Sequence, residues 1–367
     1  MGEESPPFGR GEPSLWDSRD SLWDRRTPRW RSTLGEGMPQ GRLTIPLEPV
    51  DSLVVTTLVD NVFDAFMPDQ GPAHRVGPTP AGGTLPVATM VDGLVPDQLI
   101  AEHGLSLLLT VTNAGRSHRM LFDTGVSPDG MVANMDRLQV NPRDLEAIVC
   151  SHGHFDHTAG LDGLIRRMGA TSLPVLLHPE FWNRRRLTIP GREPREIPTT
   201  SRSALQGAGF TIIEERQPSF LFDNSVLVTG EVERTTGYEP GFPVQDAWRN
   251  DHWEPDPLVL DDQAVIVKVR DRGLVVFTGC GHAGIVNIAR YALSLTGEST
   301  VYGLFGGFHL NGPLFEPLIE RVCTDLSAMQ PRLVVPAHCT GWRAQHAMAG
   351  TFGQAYVPDC VGTQFVL

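Results

Sequence analysis

The chain has no apolar run long enough to cross a membrane as a helix. That excludes a helical membrane protein, and no membrane partner is expected. The charges near the N-terminus are not followed by a hydrophobic segment, so a secretory signal is not expected either. Arg25-Arg26 leads into Thr27-Pro28-Arg29-Trp30-Arg31, which argues against a twin-arginine export signal. Cysteine is scarce. The five residues, an odd number, are scattered at 150, 280, 323, 339 and 360, which is not a disulfide framework. A reducing compartment, the cytoplasm, is the expected location. Positive charge is in deficit as well, with 30 Lys and Arg against 43 Asp and Glu and a net charge of −13. A chain of that sign is repelled by nucleic acid, so no such partner is expected. A small anionic substrate remains compatible, because a bound cation overrides the average field locally. The oligomeric state is not legible.

The length of 367 residues allows one large domain or two ordinary ones, and 40% hydrophobic content is enough for a core. Residues 1–50 are rich in Pro, Gly, Arg and Ser and lack periodicity, so they are expected to form a disordered tail. The tail repeats Ser14-Leu15-Trp16-Asp17 as Ser21-Leu22-Trp23-Asp24, and Met38 is an alternative start. Residues 51–367 then form the domain. Ser52 to Val59 reads as a strand, and Asn113-Ala114-Gly115 as a hairpin turn between two more. Helices are expected over 134–138, 160–168, 285–295 and 317–329. Pro- and Gly-rich residues 67–98 and Trp-containing residues 233–260 read as cap or lid loops. Arg184, Arg185, Arg186, Arg192 and Arg195 make a basic insertion. It reads mainly as a solvated loop, with an anion-binding role as the alternative.

One stretch organises the rest. Ala147 to Cys150 reads as a short buried strand, and His152, His154, Asp156 and His157 follow at once. Residues 152, 154 and 156 share a period of two, so an extended backbone would aim all three to one side. His157 would then open a helix. Three imidazoles and a carboxylate at a strand end suit a divalent ion such as zinc.

The pattern His-x-His-x-Asp-His resembles the signature of the metallo-β-lactamase superfamily. Asp123-Thr124-Gly125 upstream is similar to that superfamily's Asp-Thr-Gly strand end. Within it, the chain resembles the branch named for dihydropterin ribofuranosyl-aminobenzene phosphate synthase. The resemblance rests on Glu102-His103-Gly104, Thr229-Gly230-Glu231, Thr278-Gly279-Cys280-Gly281-His282, Gly306-Gly307-Phe308-His309 and Pro336-Ala337-His338-Cys339-Thr340-Gly341. It implies a four-layer αββα sandwich, in which two mixed β-sheets are flanked by helices. It also implies one or two metal ions, zinc first, with iron or manganese as alternatives.

The implied ligands are His152, His154, Asp156, His157 and His338. Two departures stand out. Cys280 occupies the place of the usual bridging carboxylate, and Cys280 and His282 are both candidate ligands there, as alternatives or together. The usual middle histidine is absent, and Asp261-Asp262 stand in its place. Asp156 is also the candidate for orienting the nucleophile. His103, His178 and His309 are candidate substrate contacts, with His178 an alternative ligand. The implied activity is metal-dependent hydrolysis of a small ester, phosphoester or lactone. Alternatives are the synthase reaction of the branch and iron-dependent redox chemistry on the same fold.

Overall fold

The computed structural model describes residues 44–77 and 83–367, so the expected tail up to residue 43, with its Trp repeat and Met38, lies outside the described residues. Folded structure begins earlier than the expected boundary at residue 51. The Ile45 N–H donates to the Leu295 carbonyl at 2.7 Å, and Val50 pairs with Val269. Leu47 and Val50 are buried. These few apolar residues dock on a finished surface, which needs no periodicity of their own.

Two mixed sheets face each other. In the first, eight strands run in the order Thr211–Glu214, Pro174–Leu177, Ala147–Val149, Arg116–Phe122, Ser106–Asn113, Ser52–Val59, Gln364–Val366 and Ala73–His74. The second has six: Ser219–Leu221, Val226–Val228, Ala264–Val269, Gly273–Thr278, Val301–Gly307 and Leu333–Ala337. Each sheet is antiparallel on one side and parallel on the other.

Side-chain alternation along the strands builds the layers. Leu107, Leu109, Met120 and Phe122 point inward against Val265, Val275, Phe277 and Phe305 of the other sheet. Each fully buried phenylalanine there contributes about 1.5–3 kcal/mol. The intervening Leu108 and Leu121 point outward, beneath the helices Gly130–Arg137 and Leu161–Met168. On the far side, Leu274 and Val276 meet Ile285–Thr296, Ile319–Ser327 and Trp342–Phe352. This is the four-layer αββα sandwich.

Several expectations need correction. Residues 233–260 are not one loop. They contain the antiparallel strands Gln245–Arg249 and His252–Pro255. These join Arg185–Leu187 and Arg195–Ile197 in a separate four-stranded sheet. The basic insertion is therefore largely strand. Arg185 is only 1% exposed, Arg184 pairs with Glu196, and Arg186 pairs with Asp246. Carboxylates hold these three guanidiniums. Residues 67–98 contain a small hairpin, Thr84–Pro86 with Leu94–Pro96, while 78–82 lie outside the described residues. The first long helix starts at Gly130, ahead of the expected Asn134, because the Ser127 hydroxyl accepts the Gly130 N–H. Among the described residues, no helix is long and apolar enough to cross a membrane. All five cysteines are buried and unpaired.

Candidate metal centre

The organising stretch leaves the first sheet at Val149 and turns between the two sheets. Asp123 fixes that turn. Its carboxylate accepts the Ser151 N–H and the Ser151 hydroxyl, both at 2.7 Å. Asp123 itself sits at φ 61°, a left-handed conformation that Asp tolerates better than most residues. Gly279 packs across this corner, where any Cβ would overlap the Ser151 hydroxyl.

Period two carries only as far as His154. That residue is extended and caps the short helix Phe155–Thr158. Asp156 and His157 thus project from the first turn of a helix and not from an extended run. The geometry still brings the ligands together. His152 Nε2 and His154 Nδ1 lie 2.9 Å apart. The His282 ring closes on both, with centroids 4.9 and 5.0 Å away. His157 Nε2 is 3.2 Å from the Cys280 sulfur. His338 Nε2 is 3.4 Å from an Asp156 oxygen, and His157 Nε2 is 3.9 Å from the same oxygen.

The candidate ligand atoms fall into overlapping groups, each with members within 4.8 Å of one another. They are His152–His154–His282, His152–His157–Cys280, Cys280–His282–His309, Cys280–His338–Cys339 and His103–Asp156–His338. His282 therefore completes a histidine triad with His152 and His154. It arrives from a later loop of the second sheet, which linear spacing cannot reveal. Cys280 and His282 both reach the cluster, so they are not exclusive alternatives.

Outer partners anchor three of the imidazoles. His152 Nδ1 meets Ser151 Oγ at 2.9 Å, His154 Nε2 meets Gln245 Oε1 at 2.6 Å, and His157 Nδ1 meets Asp123 Oδ2 at 2.7 Å. His338 is held by its backbone, whose N–H donates to Asp60 Oδ1 at 2.7 Å and whose carbonyl accepts from Asn61 at 3.0 Å. In contrast, both His282 ring nitrogens and His338 Nε2 are buried without a hydrogen-bond partner. An orphaned buried nitrogen is costly unless something else binds it. Outer partners that orient imidazoles toward a common point are the arrangement metal ligands use. The donor set thus fits a metal ion.

Electrostatics agree. Burial drives His152 and His282 far below the usual histidine range, and burial with Arg185 lowers His154 to about 4. Those rings are neutral and ready to donate a lone pair. Burial opposes the charge on Asp156, but His157 and His338 outweigh it and keep the carboxyl well below its usual range. Burial opposes charge on His157 too, yet Asp123 and Asp156 hold it up to about 9.

The acidic pair that replaces the middle histidine straps the ligand loops. Asp261 Oδ2 accepts the Gly153 N–H at 2.8 Å, and Asp262 Oδ2 accepts the Ala283 N–H at 2.8 Å. Burial raises Asp262 to about 7. Arg185 donates to Asp261 at 2.6 Å and lies 3.5 Å from Asp256, which in turn accepts from Gln245. A buried ionic frame therefore backs His154. Sequence reasoning did not place Gln245, Arg185 or Cys339 in the site. The available signal for Asp261 and Asp262 was two adjacent acids ahead of the apolar strand Ala264–Val269.

The three remaining histidines separate. His103 stands at the rim, with its side chain 68% exposed and Nε2 3.8 Å from Asp156. His309 packs on His282, with centroids 4.3 Å apart, beside Phe242 and Phe315. His178 does not join them. Its Nδ1 accepts the Glu180 N–H and its Nε2 pairs with Glu231 at 3.1 Å, so it caps a turn and offers no free atom to a substrate or ion. Gly306 and Gly307 do permit a close approach, but to backbone: a Cβ on either would strike the Thr278 or Gly279 carbonyl.

A two-sheet sandwich with a His-x-His-x-Asp-His ligand run between its sheets defines a class, and the comparisons agree with it. The metallo-beta-lactamase superfamily model matches residues 102–284, and the chain belongs to that superfamily. Its members imply bound metal ions and are typically metal-dependent hydrolases. Among individual relatives, the chain is similar to 7,8-dihydropterin-6-methyl-4-(beta-D-ribofuranosyl)-aminobenzene-5'-phosphate synthase of Methanocaldococcus jannaschii. Identity is 28% over 263 residues, covering 70% of this chain and 87% of that protein. The uncharacterized protein MJ0448 of the same organism is 30% identical over 271 residues, covering 70% of this chain and 91% of its own length. The crystal structure of Tm1679, a metal-dependent hydrolase of the beta-lactamase superfamily, superposes with a TM-score of 0.61. At 23% identity it covers 85% of this chain and 98% of that one, a likeness of fold.

Proposed function

We propose that the chain is a metal-dependent hydrolase, with zinc in one or two positions, acting on a small ester, phosphoester or lactone. The observation that carries this reading is the convergence of His152, His154 and His157, each held by an outer partner, with His282 and His338, whose buried ring nitrogens include ones with no hydrogen-bond partner. His152, His154 and His282 would hold one ion, and Asp156, His157, Cys280 and His338 the other. Such ions supply a water nucleophile at neutral pH and polarise the electrophile. Asp156, charged and 3.8 Å from the rim residue His103, orients the nucleophile and can pass a proton outward. His309, beside Phe242 and Phe315, would serve as a substrate contact. The negative net charge favours a small molecule over nucleic acid as partner, and the five free cysteines suit a cytoplasmic setting.

A second reading, synthase chemistry on the same centre, is favoured by the 28% identity to the named synthase over most of its length. Elemental analysis and a panel of phosphoesters, lactones and pterin substrates separate the readings. Zinc with hydrolysis that is lost in His154→Ala supports the hydrolase. A coupled product without hydrolysis would replace it with the synthase. Full metal retention in His154→Ala would sink both.

A further inference from the structure

Cys339 lies one residue beyond His338, where strand alternation would aim it away from the site. The backbone prevents that. The strand Leu333–Ala337 ends, and His338 adopts φ 47°, a left-handed conformation unusual for a residue with a Cβ. The alternation is broken at that residue. As a result a His338 ring nitrogen, the Cys339 sulfur and the Cys280 sulfur all lie within 4.8 Å of one another. The Cys339 sulfur is 3.4 Å from the Cys280 carbonyl oxygen, a weak contact that a metal bond would outcompete. Space for the sulfur is built in, because a Cβ on Gly307 would stand 2.6 Å from it. Two sulfurs and an imidazole make three corners of a tetrahedron suited to a thiophilic ion, and they disfavour magnesium or manganese.

We propose that Cys339 is a further metal ligand. Together with Cys280 it makes the lobe around His338 a dithiolate site for a soft divalent ion, in place of the usual carboxylate-bridged one. This rests on the metal-centre reading above.

Cobalt titration of the chelator-stripped full chain tests it, read by absorbance and not by activity. The unsubstituted protein is expected to give a near-ultraviolet thiolate-to-cobalt charge-transfer band. Cys339→Ser should reduce that band to about half, since each thiolate contributes separately. It should also weaken one cobalt equivalent by ~10-fold or more, at least the cost of losing an outer partner. An unchanged band and affinity in Cys339→Ser would overturn the proposal. Cobalt bound with no charge-transfer band in the unsubstituted chain would overturn it too, while leaving the imidazole site intact. No cobalt binding at all would instead sink the metal-centre reading. If Cys339→Ser fails to fold, zinc-edge X-ray absorption of the unsubstituted protein decides. Two sulfur ligands across the bound zinc support the dithiolate, and one or none refutes it.

Discussion

The two sheets deliver their halves of the centre in opposite ways. The first sheet supplies His152, His154, Asp156 and His157 from six consecutive residues behind a single strand. The second supplies Cys280, His282, His309, His338 and Cys339 from the ends of three different strands. One half is a local motif, fixed by the corner at Asp123 and the short helix after His154. The other half exists only because parallel strands end side by side, where open sheets gather functional loops at their carboxyl ends. Burial supports both, but with different materials. The first half leans on a buried ionic frame of Arg185, Asp256 and Asp261, whereas the second leans on glycine-backed backbone contacts.

That difference can be broken experimentally. The largest effect should come from Arg185→Ala. It leaves Asp261 buried with no guanidinium, while Asp256 keeps Arg249 at 2.9 Å; a broken buried pair costs about 3–5 kcal/mol. Urea denaturation measures it; a shift below about 1 kcal/mol would mean that water replaces the ionic frame. Next, His282→Ala should remove roughly one metal equivalent, and His152→Ala the same, because a catalytic zinc keeps about three protein ligands. Elemental analysis that finds His282→Ala fully loaded would return the third corner of that lobe to some other residue.

Gln245→Ala should be gentler. It frees His154 Nε2 without touching the inward nitrogen, and such outer partners are worth about 10–100-fold in metal affinity. Competition with a chromogenic chelator reads the change, and an unchanged affinity would confine Gln245 to packing.

The last effect depends on pH and lies at the seam between the sheets. Asp60, at the end of the strand Ser52–Val59, grips the His338 backbone, and Asp359 accepts from Thr57 behind it. Burial, with Asp60 nearby, pushes Asp359 up to about 8. In the unfolded chain that carboxyl releases its proton near ~3.9. Between those values the folded state binds more protons, so this group makes stability fall as pH rises. Asp359→Asn should flatten the decline, with its advantage greatest near pH 8 and absent below about pH 4. Parallel pH–stability profiles for the two proteins would show that Asp359 does not carry the dependence.

Legibility in the sequence followed the same division. The strands Ser52–Val59 and Gly273–Thr278 and the helices Leu161–Met168 and Ile285–Thr296 were readable from apolar period alone. The helix Trp342–Phe352 and the three-residue strand Gln364–Val366 were not, since one buries few residues and the other is too short to show a period. The hairpin Gln245–Arg249 with His252–Pro255 was hidden by its Trp, Asp and Arg content, which is polar because it pairs with arginines of the neighbouring strand.

By itself the sequence determined the candidate donor residues of one half of the centre, the sandwich class and the departure at Cys280. Residues close in the chain are forced close in space, so a dense ligand run survives any arrangement of the remainder. Only the tertiary structure decided that His282 stands beside His152 and His154, that His178 is spent on Glu231, and that Cys339 lies beside Cys280 and His338. Those assignments depend on where separate strands end and on one left-handed residue, and no periodicity along the chain encodes either.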